Sequence, residues 1–321
     1  MTVPGRPRIA LAGASGFIGD HLFRALTADG YEVLRIGRAG PDARWDDEAA
    51  VRRVVDGADL VINLAGKSVN CRYTARNRAE ILRSRLDTTR ALADAVAASS
   101  APPALWINAS TATIYRHAED RPMTESSGEL GRGFSVDVAT AWERAFFEPD
   151  LPHTRRVALR MAIVLGEGPA FRMLLRLARI GLGGPQIDGP WVATRRRRLA
   201  GTFHEYAPSR GRQKFSWVHI DDVVGVIRFV RDTPTITGPL NVAAPEPSDN
   251  RTLMALLRTA VGRRIGLPAY RWMLELGSIV LRTETELVLK SRWVLPERLS
   301  AAGYVFRHPQ LEPAIRSIVG Q

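Results

Sequence analysis

The stretch IALAGASGFIGDHLFRAL (residues 9–26) places glycines at 13, 16 and 19, between a short apolar run and a helical pattern. A tight turn from strand into helix leaves the first helical N–H groups without intrahelical acceptors, with the positive end of the helix dipole behind them. Such a turn suits a pyrophosphate. Glycine is needed where a Cβ would collide with the ligand or the facing strand. Small residues also close strand-to-helix turns that bind nothing, so spacing alone is weak. Here the motif stands at the first turn of the chain, after a strand and before a helix, which is the context that gives it meaning.

The carboxylate that grips a ribose 2′-hydroxyl belongs roughly 20 residues past such a loop, at the end of the second strand. This chain has Gly37-Arg38 there, with Arg35 just before. A guanidinium clamps a 2′-phosphate in a forked pair, so the missing acid and the arginine together predict NADP(H) rather than NAD(H). With 42 arginines in the chain, an arginine here by chance is not rare, and the missing acid is the stronger half of the argument.

Working outward, residues 8–12 read as a buried strand, 31–37 as a second and 58–66 as a third. A long helix follows from about Ala75 to Ala98. Residues 104–110 and 154–166 read as further strands, with a helix around Val138 to Phe147 between them. Strands alternating with helices predict an α/β fold, a doubly wound parallel sheet of Rossmann type. After Gly166 the rhythm changes. A helix over 171–180 leads into GLGGPQIDG and a basic segment. Residues 215–230 read as strand, helix cap at Asp221 or Asp222, and helix, and 239–247 as a short strand and exit loop. The expected organisation is a nucleotide-binding domain over 1–165 with 214–244 returning to it, and a smaller, mostly helical domain from 166–213 and 245–321.

Composition narrows the function. Hydrophobic residues make up 45% of the 321 positions, enough for a sizeable core. Cys71 is the single cysteine, and the six histidines show no second ligand type at metal spacing, so neither a disulfide nor a metal site is expected. The N-terminal stretch lacks a long apolar run, and the longest uncharged run, Ala95 to Tyr115, carries a Pro-Pro pair, several Ser and Thr, and an Asn. A soluble, cytoplasmic protein without membrane attachment is predicted. The net charge of +12 invites a nucleic-acid reading, but half of it lies between Pro190 and Lys214, where seven basic residues meet one acid. No helix-turn-helix, zinc-finger or RNA-binding aromatic motif accompanies it. No nucleic acid is expected as a partner. Four consecutive arginines, 195–198, point instead to a solvated loop that is disordered until a partner binds.

GASGFIG, NLAG (63–66), SRLDTTRAL (84–92), LRMAIVLGEG (159–168), GLGGP (181–185), FSWVHIDDVV (215–224), LNVAAPEP (240–247) and VLPERLSAAGYVFRHP (294–309) occur in that order. Together they resemble the atypical extended short-chain dehydrogenase/reductases called epimerase family proteins, which are sugar-nucleotide epimerase-like and carry a C-terminal domain of unknown function. The resemblance implies that Gly13, Ser15, Gly16, Phe17 and Ile18 line a pyrophosphate and that Gly37 and Arg38 take the adenosine phosphate. It places Leu64, Ala65 and Gly66 over the ribose and adenine, with Glu80 and Arg85 contacting the cofactor. Five-residue spacing does not set those last two on one helical face. The chain departs from the pattern at Ala12, at Met161, where relatives have Thr or Ser after the strand arginine, and in an insertion over about 190–212.

Extended reductases use a tyrosine whose pKa is lowered by a lysine four residues on, because a phenol near pKa 10 needs a neighbouring cation to act as a base at neutral pH. None of the six tyrosines here has that lysine. Aligned on Trp142-Glu143, the lost pair falls near Ser135 and Ala139. By the same resemblance, Thr111, Thr113 and Tyr115 are the surviving candidates to orient a substrate oxygen. His219 and Asp221 read as packing and helix cap rather than as a catalytic pair. Two functions remain open: an NADP(H)-dependent oxidoreductase or epimerase-like enzyme acting on a nucleotide-sugar or other small carbonyl or hydroxyl substrate, and a non-catalytic NADP(H)-binding regulator or redox sensor.

Overall fold

The computed structural model describes residues 6–205, 207–280 and 283–320. The first five residues of the N-terminal stretch, Tyr206 among the tyrosines, and three positions of the tail lie outside them. The central sheet has seven parallel strands: β1 (Arg8–Ala12), β2 (Glu32–Gly37), β3 (Ala43–Arg44), β4 (Leu60–Asn63), β5 (Leu105–Thr111), β6 (Arg155–Met161) and, at one edge, Gly238–Val242. Their order is 238–242, β6, β5, β4, β1, β2, β3, so the direction of winding reverses between β1 and β4. Open α/β sheets bind ligands at that reversal.

Both faces of the sheet are covered, which is why the central strands β1, β4 and β5 are largely apolar. Ile9 and Leu11 of β1 face α1 (Phe17–Ala28) and the helix Ile220–Asp232, through Leu22, Leu26, Val223 and Ile227. Ala10 and Ala12 face α2 (Glu48–Val55), α3 (Ala75–Ala97) and α4 (Phe134–Phe147), through Val51, Val54, Leu92 and Phe146. The predicted doubly wound architecture is present.

Three details differ from the sequence reading. The 58–66 segment is strand only to Asn63, because the Asn63 carboxamide accepts the Ala65 N–H at 3.0 Å and turns the chain over the sheet edge. The single strand expected over 154–166 breaks at Ala162, whose N–H donates to the Val242 carbonyl. Ile163–Leu165 then leaves the sheet and pairs in parallel with Trp217–His219, so residues 215–219 do not re-enter the central sheet. The cap of the helix Ile220–Asp232 is His219, whose Nδ1 accepts the Asp221 N–H at 3.2 Å, rather than either aspartate. Asp222 is buried and accepts the N–H groups of Arg307 and His308 at 2.7 and 2.9 Å.

A second core lies beyond the sheet, where α5 (Pro169–Arg179) packs with the helices Asn250–Ala260 and Leu311–Val319 through Phe171, Leu175, Leu253, Leu257 and Ile315. Residues between them return to the sheet: Leu299 and Phe306 join its core, and Arg298 donates to the carbonyls of Thr237 and Pro239 beside the edge strand. The arginine-rich segment is not the disordered loop expected from composition. Arg195–Leu199 is a helical turn capped by Thr194, and Arg197 points inward to Glu275 at 2.8 Å.

Candidate functional site

The glycine loop is shaped by contacts that leave no room for side chains. Gly13 has φ +85°, and a Cβ there would stand 2.8 Å from the backbone of Leu64 and Ala65, at the reversal between β1 and β4. A Cβ on Gly19 would collide with the Gly13 carbonyl, so α1 starts tight against the loop. Gly16 caps α1 without a side-chain hydrogen bond, and Ser15 and Gly16 are exposed. The leading N–H groups of α1, those of Phe17 and Ile18, therefore face the sheet edge with no acceptor of their own. The Phe17 ring turns the other way. It fills the space over Gly166 and Gly168, where an added Cβ would approach it to 2.8 and 3.1 Å. Phe17 thus offers the cleft its N–H, not its ring.

At the end of β2, Arg38 is exposed one residue beyond Gly37. Arg35 lies elsewhere: its guanidinium stacks on Phe23 of α1 at 4.6 Å, and its N–H donates to Asp42 at 2.8 Å. A carboxylate does stand in this loop, at Asp42, but it is engaged with Arg35. The strand end itself presents only Arg38.

Leu64, Ala65 and Gly66 cross the top of β4, with Leu64 donating to the Ala12 carbonyl at 2.9 Å. Beneath them Asn63 donates to Asn108 and to Thr89, which also accepts the Trp142 indole N–H, so the polar groups under the loop are paired. Glu80 and Arg85, which spacing alone would not unite, both hold this loop through Lys67. Glu80 pairs with the Lys67 ammonium at 3.0 Å, and Arg85 donates to the Lys67 carbonyl at 3.0 Å. Arg85 also lies over Trp142 and against Gly66, and burial pushes its guanidinium down to about 10. In this structure Glu80 and Arg85 fix the loop from below. Lys67 was missed in the sequence because nothing marks it apart from being one of three lysines.

The three candidates beyond β5 divide. Thr111 ends the strand beside Met161, and its hydroxyl accepts the Thr113 N–H at 3.1 Å. Thr113 accepts Arg292 Nε on its hydroxyl at 3.3 Å and the Lys290 ammonium on its carbonyl at 2.8 Å. Tyr115 is 2% exposed; its hydroxyl donates to Asn241 and accepts from Arg160, each at 2.9 Å. Burial raises its pKa against the pull of Arg160. The Tyr115 hydroxyl is thus held by two protein groups in this structure. At the positions of the lost pair, Ala139 is fully buried and the Ser135 hydroxyl donates to Glu286 at 3.1 Å.

The tail brings two cations to the end of β5. Lys290 and Arg292 reach the end of β5 from a segment far away in sequence, which no local spacing could reveal. Burial, with Arg292 beside it, lowers Lys290 to about 8. Tyr73, held near Ser135 and Glu286, is pushed up by burial and stays protonated.

The structure also gathers histidines that are scattered in sequence. His21 Nε2 lies 3.0 Å from Asp221, with His219 and His308 at 3.6 and 3.7 Å from the same carboxylate. His219, His308 and Asp221 could hold a cation by proximity, a grouping absent from the sequence expectation. The two imidazoles pack with centroids 3.9 Å apart and planes tilted by 36°, however, and the His219 Nδ1 is already used as a helix cap. The cluster ties α1 to the tail.

The winding order and the glycine-lined reversal define a Rossmann-fold chain of the extended reductase type. Residues 9–132 match the NAD dependent epimerase/dehydratase family, and residues 271–318 match a domain of unknown function, DUF1731. The chain is 32% identical to the bovine epimerase family protein SDR39U1, over 97% of this chain and 99% of that one. It is 28% identical to the Bacillus subtilis epimerase family protein YfhF, over 97% of each. The crystal structure of human SDR39U1 (isoform 2) with NADPH superposes with a TM-score of 0.82 at 29% identity, covering 98% of this chain and 99% of that one. The chain belongs to this epimerase family.

Proposed function

We propose that the protein is an NADP(H)-dependent oxidoreductase or epimerase acting on a nucleotide-sugar or another small hydroxyl or carbonyl substrate, without a Tyr–Lys pair. The observation that carries the cofactor is the loop at the reversal, where Gly13 admits no Cβ and the strand end opposite offers Arg38 rather than an acid. The human relative crystallised with NADPH supports it. In this reading the N–H groups of Phe17 and Ile18 take the pyrophosphate, which Gly13, Ser15 and Gly16 line, Gly37-Arg38 take the 2′-phosphate, and Leu64, Ala65 and Gly66 cover the ribose. Bound there, the nicotinamide supplies or accepts the hydride.

The protein's own residues must handle the proton. Thr111 and Thr113 are the hydroxyls at the end of β5 beside that position, and a threonine is a poor acid near neutral pH. Lys290, on the Thr113 carbonyl and lowered to about 8, is the neighbouring group that exchanges a proton near neutrality. As an acid in carbonyl reduction it loses effect as pH rises through about 8. Calorimetric titration with NADPH and NADH tests the cofactor; equal affinities end the NADP(H) reading. Thr111→Val with Thr113→Val tests the chemistry: turnover should fall while NADPH affinity stays within about twofold, since neither hydroxyl belongs to the nucleotide cradle.

The regulator reading rests on Tyr115 and Ser135, whose hydroxyls are occupied by other protein groups. It predicts tight NADPH binding with no turnover across a panel of carbonyls and nucleotide-sugars.

A further inference from the structure

The helix Arg271–Val280 is packed inside out. Its inward residues are Arg271, Glu275 and Ser278, each 5% exposed or less, while Trp272, Leu276 and Ile279 are 54–60% exposed. A surface helix ordinarily buries its apolar stripe and exposes its charges. Here the spacing of four and three residues builds an apolar stripe, and the fold turns it to solvent.

The stripe is not isolated. The 180–187 segment runs alongside 265–270: Leu267 donates to the Gly181 carbonyl at 2.8 Å, Gly184 donates to the Leu267 carbonyl at 3.1 Å, and Gln186-Ile187 pairs with Ala269-Tyr270. Those two segments expose Ile180, Leu182, Ile265 and Leu267. The helix Arg195–Leu199 is pinned to the inside-out helix by the Arg197–Glu275 ion pair, and Arg195, Arg196, Arg198 and Leu199 stay exposed. Arg263, whose side chain donates to the Arg179 carbonyl, brings two further exposed arginines to the same region.

Charge decides what covers this face. Between Pro169 and Gly201 the one acid is Asp188, and between Val261 and Ile279 it is Glu275; both are buried in ion pairs with Arg271. The exposed charges of these two stretches are all arginine, and the neighbouring exposed acid is Glu205, beside His204, whose carbonyl accepts from Arg271. A two-fold contact with a second copy buries the same patch on both subunits and opposes its arginines to themselves. A nucleic acid satisfies the arginines but leaves Trp272, Leu276 and Ile279 with nothing to bury against. An anionic bilayer surface meets both needs, since lipid headgroups pair with the guanidiniums while the aromatic and aliphatic side chains enter the acyl boundary. We propose that the face built on Trp272, Leu276 and Ile279, flanked by Arg195, Arg196 and Arg198, docks the protein peripherally on an anionic lipid bilayer. Electrostatic attraction falls off within a Debye length, so docking is sensitive to salt.

The test is flotation of the full chain with phosphatidylcholine vesicles, with and without phosphatidylglycerol, at physiological salt. The proposal expects binding only to the vesicles containing phosphatidylglycerol. Trp272→Ser with Leu276→Ser and Ile279→Ser should abolish it while leaving NADPH affinity unchanged. Arg195→Ser with Arg196→Ser and Arg198→Ser should weaken it roughly a hundredfold, at about a tenfold loss or less per charge near the membrane surface. The arginine variant leaves the apolar face intact, so it keeps the proposal testable if the first variant fails to fold. Equal binding to both vesicle types, or none to either, overturns the proposal. So does a dimer of the native chain that Leu276→Ser alone converts to monomer, and so does a nucleic-acid duplex that displaces the protein from vesicles.

Discussion

The nucleotide-binding half and the C-terminal third are built on opposite rules. In the first, apolar residues fill the interior and glycines sit where backbones meet; β1 and the glycine turn follow local spacing. In the second, the helix Arg271–Val280 buries an arginine, a glutamate and a serine and shows tryptophan, leucine and isoleucine to solvent. The first half makes a site from backbone and depends on shape. The second sets buried charge pairs beside its apolar core, and these depend on partners being present together. Single substitutions should therefore fail for different reasons in the two regions.

The largest effect is expected where a buried charge loses its counter-charge. Arg271 is 3% exposed and pairs with Asp188 and Glu275, each at 2.8 Å. Arg271→Met leaves two buried carboxylates short of a cation, and chemical denaturation should record a loss of roughly 3–5 kcal/mol. Adding Asp188→Asn and Glu275→Gln should recover part of it, because the stranded charges go with the substitution. A loss no greater than that of an exposed arginine would break the contrast, since the region would then tolerate charge as any surface does.

The glycine loop fails through geometry. Gly13→Ala places a Cβ 2.8 Å from the Leu64 and Ala65 backbone at φ +85°, and strain plus overpacking should cost roughly 2–4 kcal/mol. NADPH binding should fall with it, because relief requires moving the loop that forms the cradle. Wild-type stability and affinity in Gly13→Ala would show that the contact is not the constraint it looks to be.

Arg38→Asp sharpens the comparison without disturbing packing, since Arg38 is exposed beyond the strand end. The loss of a charge-assisted pair and the addition of repulsion should weaken NADPH binding by about ten- to a hundredfold and NADH binding much less. Calorimetry on both cofactors checks it. Equal weakening of the two would move recognition of the 2′-phosphate to another residue.

What could be read from the sequence follows the same division. Alternating apolar runs, the glycine turn and the absent acid at Gly37-Arg38 all act through neighbours within a few residues, so the sheet and its loop were visible. Arg85 and Glu80 were visible only through resemblance, because the loop residue that unites them, Lys67, is separated from them by more than a helical turn. Lys290 and Arg292 were invisible, as their reach to Thr113 crosses about 180 positions. The inside-out helix defeated the usual inference that an apolar stripe faces a core. The four arginines looked like a solvated loop because composition does not show that Arg197 has a buried glutamate waiting for it.

The smallest effect tests the seam where the two regions meet. His219 ends the strand Trp217–His219 and caps the next helix, while His308 of the tail stacks on it. Burial, with the neighbouring imidazole, lowers His219 to about 4, so the folded protein keeps it neutral where the unfolded chain, near 6.5, takes up a proton. Between pH 6.5 and 4 the unfolded state therefore binds more protons, and stability falls as pH falls through that window. The contribution lost between pH 7 and 5 should be on the order of 1 kcal/mol. His219→Asn keeps a side chain able to cap the helix and removes the titration. Its stability should change less between pH 7 and 5 than that of the native chain, by denaturation at the two values. If the two slopes coincide, His219 does not carry the acid sensitivity of the seam.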